Sequence, residues 1–235
     1  MEIRSVTIDL DGTLLDTVGD LAVACNAMLA DLSRPPRSEE EINAFVGKGM
    51  AVLVERCLGA DAADGELVRH AIERFRVHYA ENNGRSTRIY PGVLDGIAAL
   101  RKLGLPLGCV TNKPAMFTEP LLERMGLAGF FSVVVSGDTL PFKKPRPEPL
   151  LHACAVMGTA PAANLHVGDS AHDIAAARAA GCPVVCVPYG YNEGRPVDSA
   201  ECDALVSNLV EAAAYAASFV LPPASAAQAS PAHPA

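Results

Sequence analysis

The chain has 235 residues, 50% hydrophobic and 20% charged, which excludes a wholly disordered or collagen-like polymer and is enough to bury a core. Nineteen Lys and Arg against 27 Asp and Glu give a net charge of −8, which repels phosphate backbones and argues against a nucleic-acid partner. The seven cysteines are scattered, odd in number and without a CxxC pair, so neither a disulfide framework nor a zinc site is expected.

In chain order, Met1 to Arg4 lacks the charged and apolar regions of a signal peptide, so a protein starting at Met1 in the cytoplasm is expected. Residues 5–10 read as a buried strand that ends abruptly in Asp9-Leu10-Asp11-Gly12-Thr13. Residues 17–84 carry four helical patterns (19–32, 38–46, 50–58 and 64–82) and no strand. Ser38, followed three residues later by Glu41, is a capping-box start for the second of them. Tyr90-Pro91-Gly92 marks a return to alternation, with strands at 106–111, 132–136, 164–168 and 183–188 separated by helices at 93–103, 114–125, 147–157 and 174–180. That alternation predicts a doubly wound parallel α/β sheet, a Rossmann-like core, with an all-helical cap inserted after the first strand. The expected division is a core of 1–16 and 85–221, a cap of 17–84 and a disordered tail of 222–235, which is rich in Ala, Ser and Pro. The longest apolar stretch, near residues 212–221, is too short to span a membrane, so no membrane role is expected.

Chemistry-bearing residues collect at the strand ends, where ligands bind in open α/β sheets. Asp9 and Asp11, two apart on an extended strand, are expected to converge, and a bound Mg²⁺ would relieve their repulsion. Taken alone, Asp-Gly is also a common turn dipeptide. Thr111 and Asn112 end a second strand and suit phosphate oxygens, though a Thr before a helix can simply cap it. Lys144, fixed among prolines, could neutralise a phosphate or belong to a solvated basic turn. Asp169 and Asp173, four apart at the last such strand end, place two acids on one helical face, where they could equally favour the helix N-terminus. Four strand ends, each bearing a group that a Mg²⁺-phosphate complex requires, point to one site. His172 reads as a helix-surface residue, since carboxylates and water suit Mg²⁺ better than imidazole. Gly47-Lys48-Gly49 lacks P-loop spacing, and Gly168-Asp169-Ser170 is no nucleophile elbow.

Through Asp9-x-Asp11-Gly12-Thr13, Thr111, Lys144 and Gly168-Asp169-x-x-x-Asp173, in that order, the chain resembles the haloacid dehalogenase superfamily. It is most similar to the phosphoglycolate phosphatase branch, through Leu105 to Gly108, Val110 to Pro114, Lys143-Lys144-Pro145 and Tyr189 to Asn192. The resemblance implies Asp9 as nucleophile, Asp11 as general acid and base, and Mg²⁺ held by the Asp9 and Asp169 carboxylates and the Asp11 carbonyl, supported by Asp173. It implies Thr111, Asn112 and Lys144 as the phosphoryl grip. The expected function is Mg²⁺-dependent hydrolysis of a small phosphate ester, first 2-phosphoglycolate, by a monomer or homodimer. The alternatives are an amino-sugar phosphate phosphatase, a mutase resembling β-phosphoglucomutase, and a non-catalytic phospho-aspartate receiver or binding module. The turn around Lys48, between two cap helices, offers a cation and amides for the substrate's carboxylate, or is merely a solvated connection.

Overall fold

The computed structural model describes residues 2–220, so residue 221 and the expected tail, 222–235, lie outside the described residues. The chain opens with β1 (Ser5–Ile8) and β2 (Leu15–Asp16), then the helices α1 (Val18–Asp31), α2 (Glu39–Phe45), α3 (Met50–Leu58) and α4 (Gly65–Asn82). It continues through β3 (Arg88–Ile89), α5 (Val93–Lys102), β4 (Leu107–Val110), α6 (Ala115–Arg124), β5 (Val133–Val135) and α7 (Glu148–Val156). The last elements are β6 (Asn164–Gly168), α8 (Ala171–Ala180), β7 (Val184–Cys186), β8 (Ala204–Leu205) and α9 (Leu209–Ala217).

The main sheet has the order β5-β4-β1-β6-β7-β8, and every neighbouring pair in it is parallel. The chain runs outward from β1 through β4 to β5, then crosses back to place β6 on the other side of β1. This reversal puts the carboxyl end of β1 at the topological switch point, where a crevice opens. One apolar cluster joins Val6, Ile8, Ile97 and Leu209 beneath α5 and α9; another joins Val110, Leu150, Ala177 and Val184 beneath α7 and α8. Helices thus cover both faces, as the alternation predicted.

Helices α1–α4 form a further apolar cluster containing Leu21, Met28, Ile42, Leu53 and Phe75, to which Phe117 of α6 and Tyr191 contribute from the sheet side. The predicted capping box starts α2: Ser38 Oγ accepts from the Glu41 N–H, and Glu41 Oε2 accepts from the Ser38 N–H. β2 and β3 pair antiparallel, Leu15 opposite Ile89, so the chain enters and leaves these helices through one short ladder.

The differences from expectation have physical causes. Two-residue strands such as β2, β3 and β8 are too short to show periodicity. Helix α9 was not predicted, although Asn208 caps it by accepting from the Val210 and Glu211 N–H groups. In β1 two polar residues, Ser5 and Thr7, alternate with Val6 and Ile8 and are fully buried with them. Their hydroxyls are satisfied across the sheet, Ser5 by Asn164 at 2.9 Å and Thr7 by His166 at 3.0 Å. No helix among the described residues is long and apolar enough to cross a membrane.

Candidate active site

Each of the three central strands ends one residue before a polar side chain: β1 before Asp9, β4 before Thr111 and β6 before Asp169. Because β1 lies between β4 and β6, these three residues are neighbours. Lys144 joins them from the segment between β5 and α7. All four line a cavity of about 670 Å³, counted with its open mouth, whose opposite wall is Leu21, Met50, Leu53, Phe75 and Tyr79 from the helical insertion.

Lys144 is the hub. Its buried ammonium donates to Val110 O at 2.8 Å and Asp173 Oδ1 at 2.6 Å, and pairs with Asp9 Oδ1 at 2.8 Å. Although burial opposes its charge, Asp173 and Asp9 hold it above the ordinary lysine range. Asp173 is engaged on both oxygens: Oδ1 also meets His166 Nε2, and Oδ2 accepts from the Asp169 and Ser170 N–H groups and the Ser170 hydroxyl. Burial is opposed there by Lys144 and His166, which hold the Asp173 carboxyl well below the usual range. Burial lowers the His166 pKa, and the hydrogen-bond pattern fits a proton on Nε2 with Nδ1 accepting from the Thr7 hydroxyl, which itself accepts from Asn164. A polar chain therefore runs from the sheet interior through His166, Asp173 and Lys144 to Asp9.

Asp9 uses one oxygen for structure, Oδ1, which accepts from the Leu10 N–H at 2.7 Å as well as pairing with Lys144. Oδ2 carries no protein hydrogen bond among the described residues. Asp9, Asp169 and Asp173 each bring a carboxylate oxygen within 4.8 Å of the others. Burial, with the neighbouring acids, raises the Asp9 carboxyl well above the usual range and Asp169 to about 7. With Asp173 taken by Lys144, the Asp9 and Asp169 carboxylates are the donors that fit a hard divalent cation such as Mg²⁺, which would reverse their shifts. Asp169 is fixed for the purpose: Oδ1 accepts from Thr13 Oγ1 and Oδ2 from the Tyr191 N–H. The Asp9–Thr13 turn closes over it at Gly12, where φ is +87° and a Cβ would lie 2.4 Å from Asp169 Oδ2.

Other expectations need correction. Asp9 and Asp11 both line the cavity, but strand pairing ends at Ile8 and the two carboxylates take different partners. Asp11 Oδ1 accepts from Thr17 Oγ1 at 2.7 Å and pairs with Lys113 Nζ at 3.0 Å, while the acidic cluster forms with Asp169 and Asp173. Thr111 lines the cavity, its hydroxyl oxygen accepting from the Lys113 N–H. Asn112 spends its side chain on the protein: Nδ2 donates to Gly47 O and Lys144 O, and Oδ1 accepts from the Lys144 N–H. It ties the lysine segment to the α2–α3 turn. Lys48 is not among the residues lining the cavity; it pairs with Glu193 at 3.1 Å. His172, expected on a helix surface, instead lines the cavity, with Nε2 3.5 Å from Glu193 Oε2 and no hydrogen bond.

Two residues in the cavity wall were missed by sequence reasoning, Lys113 and Tyr79. Lys113 directly follows Thr111-Asn112 at the same strand end, which was a usable signal. Tyr79 lies in the last turn of α4, on the buried face with Ala71 and Phe75, and nothing local distinguishes it from a core residue.

The haloacid dehalogenase-like hydrolase family model matches residues 6–187. A phosphoglycolate phosphatase of Thiobacillus denitrificans is 50% identical over 216 residues, covering 91% of this chain and 95% of that protein. The phosphoglycolate phosphatase of Escherichia coli K12 is 41% identical over 227 residues, covering 88% and 90% respectively. A crystal structure described as a predicted phosphoglycolate phosphatase, from Haemophilus somnus, superposes with a TM-score of 0.86 at 33% identity, covering 92% of this chain and 98% of the other.

Proposed function

Because the chain belongs to the haloacid dehalogenase-like hydrolases, we propose that it is a Mg²⁺-dependent phosphomonoesterase that hydrolyses 2-phosphoglycolate to glycolate and phosphate. The observation that carries the chemistry is Asp9: a carboxylate at the floor of a cavity, oriented through one oxygen by a buried lysine, with the other oxygen free of partners among the described residues. The substrate follows from the relatives' names and from a cavity closed by apolar side chains, which favours a compact ester.

Asp9 attacks phosphorus, forming an aspartyl phosphate as the bond from phosphorus to the ester oxygen breaks. Asp11 gives its proton to the departing glycolate oxygen, then takes one from the water that attacks the aspartyl phosphate and releases phosphate. Lys144 and the Thr111 hydroxyl hold the phosphoryl oxygens and stabilise charge in transfer. Asn112 acts behind Lys144, fixing its backbone, and Asp173 keeps its ammonium charged and aimed. The Asp9 and Asp169 carboxylates and the Asp11 carbonyl would hold Mg²⁺, which when bound supplies Lewis-acid neutralisation of the phosphoryl group. The insertion closes the site against water.

The test is phosphate release from a panel containing 2-phosphoglycolate, an amino-sugar phosphate and β-glucose 1-phosphate, with and without chelator. The reading expects 2-phosphoglycolate to lead in kcat/KM and chelation to abolish turnover. A sugar phosphate in first place would reject the substrate, and no release from any ester would reject the enzyme.

A further inference from the structure

Resting on that reading, a further role emerges for the buried lysine beside Asp11. Lys113 is 6% exposed, and its ammonium contacts Asp11 Oδ1 at 3.0 Å, Asp11 Oδ2 at 3.3 Å and the Tyr79 hydroxyl at 2.6 Å. Its main chain is pinned: the N–H donates to Thr111 Oγ1, and the carbonyl accepts from the Gly137 N–H and the Thr118 hydroxyl. Tyr79 is equally fixed, its ring stacked on Phe75 at 5.3 Å and met edge-on by Phe117 at 4.8 Å. A rigid ammonium has therefore been built into the wall of the cavity between an acid of the sheet side and a hydroxyl of the helical insertion.

We infer that Lys113, with the Tyr79 hydroxyl, is the subsite that receives the carboxylate of the substrate. The covalent geometry of the substrate supplies the argument. In 2-phosphoglycolate a single carbon separates the ester oxygen from the carboxyl carbon. Asp11 is assigned to the ester oxygen, so a cation touching the Asp11 carboxylate lies beside the place where the carboxyl group must fall. The other lysine in the cavity wall, Lys144, lies at the phosphoryl end, against Asp9 and Asp173. Lys48 is paired with Glu193 and does not line the cavity. Most of the wall facing the sheet is apolar, Leu21, Met50, Leu53 and Phe75, so a carboxylate turned that way would lose its hydration without a partner. Tyr79 belongs to α4 and Lys113 to the β4–α6 connection, so capture of the carboxylate at this pair also requires the insertion to be closed.

The experiment compares 2-phosphoglycolate with 2-hydroxyethyl phosphate, an alkyl ester of similar size that lacks the carboxylate, in wild type, Lys113→Met and Tyr79→Phe. A site built to pair a charged group rejects an analogue lacking it, so wild type should prefer the acid by about 10²-fold or more in kcat/KM. Lys113→Met should reduce that preference at least about tenfold, mainly through KM for 2-phosphoglycolate, and Tyr79→Phe should reduce it by about threefold. Equal proportional losses on both esters would overturn the inference and leave Lys113 as a support for Asp11. If Lys113→Met does not fold by circular dichroism, Tyr79→Phe decides, since it removes one oxygen and keeps the ring packing; an unchanged preference overturns the inference. Wild type hydrolysing both esters equally would reject the carboxylate subsite while the phosphatase stands. Failure on both esters would reject the phosphatase reading itself.

Discussion

Glu193 Oε1, on the segment after β7, lies 3.1 Å from Lys48 Nζ on the turn between α2 and α3. Arg56 of α3 donates to the same oxygen. Two neighbours of Glu193 tie this segment down elsewhere: Tyr191 donates its N–H to Asp169, and Asn192 Oδ1 accepts from the Ala171 N–H at the start of α8. Glu193 therefore fastens the helical insertion to the loop that positions Asp169. With Lys48 40% and Glu193 28% exposed, the pair is partly solvent-screened, and its effect is modest. Glu193→Gln should raise KM about two- to fivefold on every ester tested, with the difference shrinking as salt is added. Lys48→Ala should behave the same way, without selecting carboxylate substrates. A Lys48 effect confined to 2-phosphoglycolate in a steady-state comparison would show that the lysine reaches the substrate after all.

Asp20 secures the other side of the insertion. It is buried in the first turn of α1 and accepts from the N–H groups of Gly84, Ser86 and Thr87 and from the Ser86 and Thr87 hydroxyls. Burial alone would raise its pKa, but these donors lower it below the ordinary 3.8. A carboxyl depressed on folding contributes stability in full above its unfolded pKa and loses it as pH falls through the folded value. Asp20→Asn should thus cost about 1–3 kcal/mol near neutral pH, and the deficit should narrow below about pH 4. Urea unfolding of both proteins across that range checks the sign; a constant deficit would mean that charge is not involved.

Asp11→Asn removes the proposed proton donor but retains the backbone carbonyl. We expect kcat on alkyl phosphates to fall by roughly 10²- to 10⁴-fold. The loss should be much smaller on p-nitrophenyl phosphate, whose leaving group hardly needs a proton. Equal losses in the two assays would take Asp11 out of the acid role.

The sequence made the α/β core legible because buried parallel strands are short apolar runs, and each ended visibly in a polar residue. Asp9, Thr111 and Asp169 follow from that pattern, Lys144 was singled out by its flanking prolines, and the structure brings all four to one cavity. What stayed hidden depends on tertiary packing. Tyr79 reaches Lys113 only when α4 folds over the sheet, and no periodicity encodes that meeting. For Lys48 the sequence left a substrate contact and a solvated turn both open, and it put His172 on the surface, because it shows that a turn and a helix start exist but not which side chain faces inward. Helix α9 was overlooked because its alanine-rich run was weighed only as a membrane segment, while the Asn208 cap and Glu211 three residues on were the available signal.

The central claim is that phosphate passes through a covalent bond to Asp9, and chemical trapping tests it most directly. Enzyme mixed with 2-phosphoglycolate and Mg²⁺ and quenched into borohydride should have its acyl phosphate reduced, converting an aspartate to homoserine. Peptide mass spectrometry should find homoserine at residue 9, and Asp9→Asn should give neither the product nor turnover. Homoserine at another aspartate, or full turnover with residue 9 never modified, would contradict the account.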